Sequence, residues 1–271
     1  MTDFTPTPLP AAVRHELCAA AAAFLDGLDD DRRRRAQYPL DGPARRDWHY
    51  FPRLDQPGLR LAEMDGPQRE VARRLLRTAL SERGLAKAEA IMRLETLVRR
   101  MEEESVYHPD NYSFAVFGQP SDDTPWGWRI DGHHLSLTMV ATPDGDLTVT
   151  PHFMGANPAE VHGGDLDGTR PLAEEMDRAF GLLDGLDQGE RAQAIIADRS
   201  MGDILTGPAA SPLWRLPKGW RRRICPRPGA RASCGWSQLT PTACAPTWRS
   251  VSWRGCGRRG SSGCTSPGPV R

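Results

Sequence analysis

Acidic residues stop at Asp203: all 35 Asp and Glu of the 271-residue chain lie at or before that position. The first 206 residues carry 23 Lys and Arg and a net charge of −12, whereas residues 207–271 carry 12 bases and no acid. The same stretch holds five of the six Cys and five of the eight Trp, and it lacks Phe, Tyr, Met, His and Asn. The overall charge of zero therefore joins two unrelated compositions and says nothing about partners. Any fold legible here has to be built from the front part.

Four readings of the basic tail stand side by side. Structural zinc sites use closely spaced pairs such as Cys-x2-Cys, but the intervals between Cys225, Cys234, Cys244, Cys256 and Cys264 are all eight residues or more, and no His accompanies them. A disulfide framework needs an oxidising compartment, which the first ten residues do not signal. A nucleic-acid arm fits the charge, yet such arms seldom mix scattered Trp and Cys with almost no Lys. The fourth reading is a change of frame. Arg, Pro, Gly, Ala, Ser, Cys and Trp are what GC-rich DNA encodes in a wrong register. Shifting each codon one base earlier over residues 264–271 permits the peptide VHFAWAGP, and over 234–252 an acidic, amphipathic, helix-prone run. The best position for the change is Gly219–Trp220. On this reading residues 1–219 form one domain, incomplete at its C-terminus. Residues 220–271 were then never selected to fold, and the chain is truncated and inactive. The coding DNA across Gly219 tests it.

No apolar run approaches the roughly 20 residues of a membrane span. The start has no basic segment leading into an apolar one, so it does not read as a secretory signal. Cys18, the one thiol before the tail, sits in an Ala-rich stretch. A reducing, cytoplasmic location with no membrane and no nucleic-acid partner is the expectation.

Residues 10–36 read as one helix with Val13, Leu17, Ala20, Phe24 and Leu28 on one side. Residues 48–52 and 58–61 are strand-like. Pro67 opens an amphipathic helix through Val71, Leu75, Leu76 and Leu80, with Gly84 as its stop, and a second follows with Ile91, Leu94, Val98 and Met101 at helical spacing. From Tyr112 the period becomes that of strands: 112–117, 126–131, 133–140 and 147–153, with turn residues between them. Two more helices fall near 172–183 and 188–198. The expectation is α+β: N-terminal helices, a central antiparallel meander of about four strands, then helices, with a tail of no regular fold.

Residues 126–139 carry the densest chemistry. On a continuous strand His133 would share a face with Leu135, Leu137 and Met139, and His134 with Ser136 and Thr138. The next turn would return His152 beside them. His134, His152 and Asp131 could then form a facial site of two His and one acid for a divalent transition metal, with His133 as a further ligand or base. Adjacent His on a strand cannot both reach one ion without a bulge, which Gly132 could supply. The alternative is structural, with the His pair hydrogen-bonded in the core. Arg129 reads either as the group that orients a small anionic substrate or as half of a salt bridge. Trp126 and Trp128 read as core aromatics, and His49 and His108 as outlying candidates.

Several of these segments resemble domain-of-unknown-function family 3500. The resemblance runs from Trp48 to about Gly219. It rests on the Trp48/Pro52 and Gly58-Leu59 opening, Leu80-Ser81 with Gly84, Tyr112 to Phe117-Gly118-x-Pro120, Trp126-Gly-Trp-Arg129, Gly132-His-His-Leu-Ser-Leu137, Thr150-Pro151 and Gly155-Ala-Asn-Pro-Ala159. It implies no known reaction. It does imply that relatives continue with a Phe-Ala-Trp-Ala-Gly strand and further His-rich motifs. The shifted peptide VHFAWAGP reproduces that strand, and the later His motifs are absent here. Two functions follow as expectations. One is a metal-dependent enzyme using His133, His134, His152 and Asp131 with Arg129. The other is a non-enzymatic binding or structural domain.

Overall fold

The computed structural model describes residues 9–199. The basic tail and its proposed change of frame lie outside the described residues. The expected order of helices, sheet and helices is present, and the chain is α+β.

The N-terminal helical stretch is two helices. Ala-rich α1 (Ala11–Asp26) ends at Gly27, and α2 (Asp30–Ala36) begins under Asp29, whose carboxylate accepts the Arg32 N–H at 2.8 Å. A capping Asp supplies a partner for an N–H that has none within the helix, so the new start is local chemistry. Helix α3 (Gly66–Ala79) opens on a reciprocal Asp65–Gln68 capping box. It stops at Leu80, four residues before the expected Gly84. Ser81 then caps α4 (Glu82–Glu102) through the Gly84 N–H, so Gly84 is a buried residue in the first turn of the following helix. Helices α5 (Ala173–Asp184) and α6 (Gln188–Ala194) follow the sheet and bury no side chain fully.

The sheet has six strands in the order β1-β3-β4-β5-β6, with β2 also on β3. The four-stranded meander is its centre: β3 (Ser113–Phe117), β4 (Trp126–Gly132), β5 (Leu135–Ala141) and β6 (Leu147–Met154), all antiparallel neighbours. Two short strands join it, the second within the strand-like residues 58–61 and the first not expected from the sequence. β1 (Gln37–Tyr38) runs parallel to β3, and β2 (Leu59–Arg60) antiparallel to it. Residues 48–52, expected as a strand, form no ladder and lie in a connection between β1 and β2.

Register divides the sheet into two faces, since side chains opposite each other across a ladder point the same way. One face carries Phe114–Ile130–Leu137–His152 and Val116–Trp128–Met139–Val149. It joins α1, α3 and α4 in a single core, with Phe24 of α1 against Phe114 at 6.0 Å between ring centroids. Trp126 and Trp128 are buried there as core aromatics. The other face carries Ser113–Asp131–Ser136–Phe153 and Ala115–Arg129–Thr138. Apart from the half-buried Phe153, these residues also lie buried, beneath the segment of residues 43–56. The register slips by one between Leu137 and Met139, where β6 places Pro151, which has no N–H for the ladder. Among the described residues, no helix is long and apolar enough to cross a membrane.

Candidate functional site

The His pair does not lie on a strand. β4 ends at Gly132 and β5 begins at Leu135, so His133 and His134 are the two residues of the hairpin turn. His134 takes φ +59°, the left-handed region that short turns require. The expected alternation, with His133 on the leucine face and His134 on the Ser136 face, is therefore replaced by a turn. Instead the two rings stack, with centroids 3.9 Å apart and planes 29° from parallel.

Three contacts fix that turn. The buried Tyr112 hydroxyl donates to the His133 carbonyl at 2.8 Å, the Gly155 N–H donates to the His134 carbonyl at 2.7 Å, and the His134 N–H donates to the Tyr50 carbonyl at 3.0 Å. Gly132 is needed where the turn begins. A Cβ there would fall 2.5 Å from Tyr112 Cδ1, and the Tyr112 ring is fully enclosed.

His133 Nδ1 lies 2.7 Å from Glu95 Oε1, and the two side chains keep only 10% and 4% of their surface. A carboxylate only accepts, so opposite an ionised Glu95 the His133 Nδ1 is the donor, and in the neutral ring Nε2 is the nitrogen with the lone pair. Tyr107 meets the His133 ring edge-on at 5.2 Å. His134 is held neutral, its pKa pushed down to about 4 by burial and then by His133 beside it.

The other expected members lie elsewhere. His152 projects from the helix-facing side of the sheet, opposite Leu137. Burial lowers its pKa first, followed by Lys87, itself paired with Glu175. Asp131 projects from the opposite side, so the facial set of His134, His152 and Asp131 does not assemble: the sheet separates Asp131 from His152. The bulge expected at Gly132 sits on β6 instead. The two stacked rings also lie in planes 29° apart with 3.9 Å between centroids, whereas two imidazoles on one ion must bring a nitrogen each to about 2 Å from it. Among the described residues, no group of three or more His, Cys, Asp or Glu is arranged to hold a metal ion.

Arg129 and Asp131 form a buried pair, Nε to Oδ2 at 3.3 Å. The guanidinium also donates to the Arg45 and Ala44 carbonyls at 3.2 and 3.1 Å and lies over the Phe117 ring. Burial pushes the Asp131 carboxyl up to about 7, against the pull of Arg129. Its two oxygens face the His49 N–H at 3.3 and 3.2 Å. His49 and His108 each use Nδ1 to accept a backbone N–H two residues on, from Phe51 and Asp110. Those are local turn contacts.

Glu95 and Tyr107 were absent from the sequence expectations. Glu95 carried a usable signal. It lies four residues after Ile91 and three before Val98, both buried, so it falls in the apolar stripe of α4. A charged side chain at a stripe position needs a buried partner.

A mixed sheet with helices on one face, and a His pair tied to a buried carboxylate at a hairpin, defines an α+β domain with a candidate acid–base site. Residues 11–232 match the family described as protein of unknown function (DUF3500), and the chain belongs to that family. The matched span begins well before Trp48 and extends past Gly219–Trp220. Comparisons with curated proteins and with solved structures find no match.

Proposed function

We propose that this domain is a proton-transfer enzyme in which Glu95 and His133 form the base. The observation that carries the reading is the 2.7 Å contact between Glu95 and His133 Nδ1, which leaves Nε2 as the reactive nitrogen. Glu95 fixes the tautomer and offsets the charge that His133 gains on taking a proton. His134, neutral and stacked on it, offers a hydrogen bond to the same ligand. This departs from the metal-dependent reading in one respect: the pair acts through one nitrogen and a carboxylate, with no ion shared by three His. The change of frame proposed for 220–271 bears on whether this chain turns over, and leaves the dyad untouched, because every member lies between Glu95 and His134.

Diethyl pyrocarbonate tests the reading, since it acylates an imidazole nitrogen that carries a free lone pair. Peptide mapping is expected to find His133 modified well ahead of His134 and His152, and several-fold more slowly in Glu95→Gln. A His133 that reacts no faster than the other two, or equally fast in Glu95→Gln, returns the dyad to a structural role.

A further inference from the structure

Buried polar atoms almost always have partners, and clusters of exceptions point to something that supplies them. Such atoms gather on the strap-covered side of this sheet. The Ser113 and Thr138 hydroxyls and Gln56 Oε1 have no hydrogen-bond partner among the described residues, and the Ser136 hydroxyl and Arg129 Nε share only the Asp131 carboxylate, which Nε meets at 3.3 Å without hydrogen-bond geometry. All five residues are at least nine-tenths buried. Register aligns them: Ser113 and Ser136 flank Asp131 in one row across β3, β4 and β5, and Thr138 flanks Arg129 in the next. Gln56 reaches in from above, its Nε2 donating to the Asp131 carbonyl at 3.2 Å.

The cover over this floor differs from the helices on the other face. Apart from a short 3-10 turn (Pro43–Arg45), residues 43–56 form no regular element. They meet the floor through polar anchors: Arg129 to the Ala44 and Arg45 carbonyls, and Asp131 to the His49 N–H. One residue further on, Tyr50 accepts the His134 N–H, so the same segment runs from the floor to the His turn. Phe51 and Leu54 on it stay about half exposed, at 47% and 46%. Lifting such a segment wets hydroxyls, a charge pair and the Tyr50 and Trp48 rings that pack on Phe153, whereas lifting α3 or α4 would wet whole stripes of Leu and Ile. The first opening costs far less.

We infer that Ser113, Gln56, Arg129, Asp131, Ser136 and Thr138 are a ligand-binding floor, and that residues 43–56 are its movable cover. The ligand class follows from the atoms. Arg129 Nε can only donate, Gln56 Oε1 can only accept, and the three hydroxyls do either. A small molecule bearing several hydroxyls satisfies all of them. A carboxylate on it would take Arg129 Nε.

Hydrogen exchange read by mass spectrometry tests both halves on the full chain, with tartrate and its uncharged counterpart threitol as probes. Peptides over 43–56 are expected to exchange together and at least tenfold faster than those of α4 and β4. One probe or both should slow the 43–56 peptides, tartrate alone if Arg129 needs a carboxylate. The protection should be lost in Ser136→Ala/Thr138→Val, which removes two hydroxyls at almost constant volume while α4 exchange reports an intact fold. Protection that survives His133→Ala keeps the floor whatever becomes of the dyad. Exchange of 43–56 only through global unfolding overturns the cover. Free opening that neither probe slows overturns the floor.

Discussion

Asp131→Asn isolates the energetic consequence of burying a carboxyl beside a guanidinium. The substitution keeps the size of the side chain and an oxygen to accept the His49 N–H, and removes the titration. In the folded chain Asp131 has its pKa raised from 3.8 to about 7, burial outweighing the pull of Arg129. Below the lower value both folded and unfolded chains hold the proton, and the contribution is fully present. Between the two values the unfolded chain releases the proton while the folded chain keeps it. Stability therefore falls as pH rises, and it levels off above about 7. At roughly 1.4 kcal/mol per unit, the span amounts to something on the order of 4 kcal/mol. Asp131→Asn lacks this loss, so its stability relative to the wild type should climb by about that much from about pH 4 to about pH 8. Urea unfolding followed by tryptophan fluorescence measures it, since Trp126 and Trp128 are both buried in the core. Every other carboxyl and imidazole titrates in both proteins and cancels in the difference. Parallel stability curves for the two proteins would refute the reasoning. They would mean that Asp131 is ionised at little cost, with water reaching the polar face in the closed state.

His134 supplies a contribution of opposite sign in the same window. Its pKa is lowered from 6.5 to about 4, so the folded chain resists the proton that the unfolded chain takes, and stability drops as pH falls between those values. His134→Asn, a residue that tolerates φ +59°, should flatten that acid limb in the same urea series. Tyr112→Phe removes the hydroxyl that holds the His133 carbonyl and should cost about 1 kcal/mol, with the His133 ring resonances shifting in NMR spectra. Gly132→Ala drives a methyl into the enclosed Tyr112 ring and should cost roughly 1–3 kcal/mol in urea unfolding. Asp65→Ala breaks the capping box of α3 and should cost about 1 kcal/mol without altering diethyl pyrocarbonate reactivity at His133.

Much of the fold was legible because hydrophobic period survives in it. The Leu75–Leu76 stripe of α3 and the Ile91, Leu94 and Val98 stripe of α4 are buried where the pattern put them, whereas Met101 is 65% exposed, β3 to β5 are buried on both faces and β6 buries no residue fully. The misplacements were local. Gly84 looked like a helix stop, but Ser81 three residues earlier was the start of the next helix. Leu28 continued the apolar spacing of α1, yet Asp29 capped a new helix behind it. The His turn was the costliest. Asp131-Gly-His-His-Leu-Ser136 keeps a strand-like rhythm and contains none of the Asn-Gly or Asp-Gly pairs at the turn positions that mark a tight hairpin. Reading it as strand sent His134 to one face and left the metal set with members that the sheet holds apart. Reading it as a turn would have stacked the two rings and left His133 in need of a partner.

The polar face shows why the rest was illegible. Ser113 and Ala115 on β3, Arg129 and Asp131 on β4, and Ser136 and Thr138 on β5 alternate with apolar neighbours, which is what a strand with one wet face looks like. Period alone assigns that face to solvent. It is buried because residues 43–56 cross it, and they do so without a ladder or a helical stripe, while their aromatic run Trp48-His-Tyr-Phe51 reads as a strand and instead packs on Phe153. The polar anchors are main-chain carbonyls and N–H groups, which every residue has, so apart from Trp48 and Tyr50 on Phe153 only the floor's side chains carry information. Arg129 and Asp131, at i and i+2 just after Trp128, read as a substrate-orienting group or half of a salt bridge and as a metal ligand, and period alone gives them no cover. Under a cover they become the strap's attachment and its control. The same six residues thus change from surface to site according to a segment whose own sequence does not announce the contact, and the closed state of that segment is what the Asp131 titration measures.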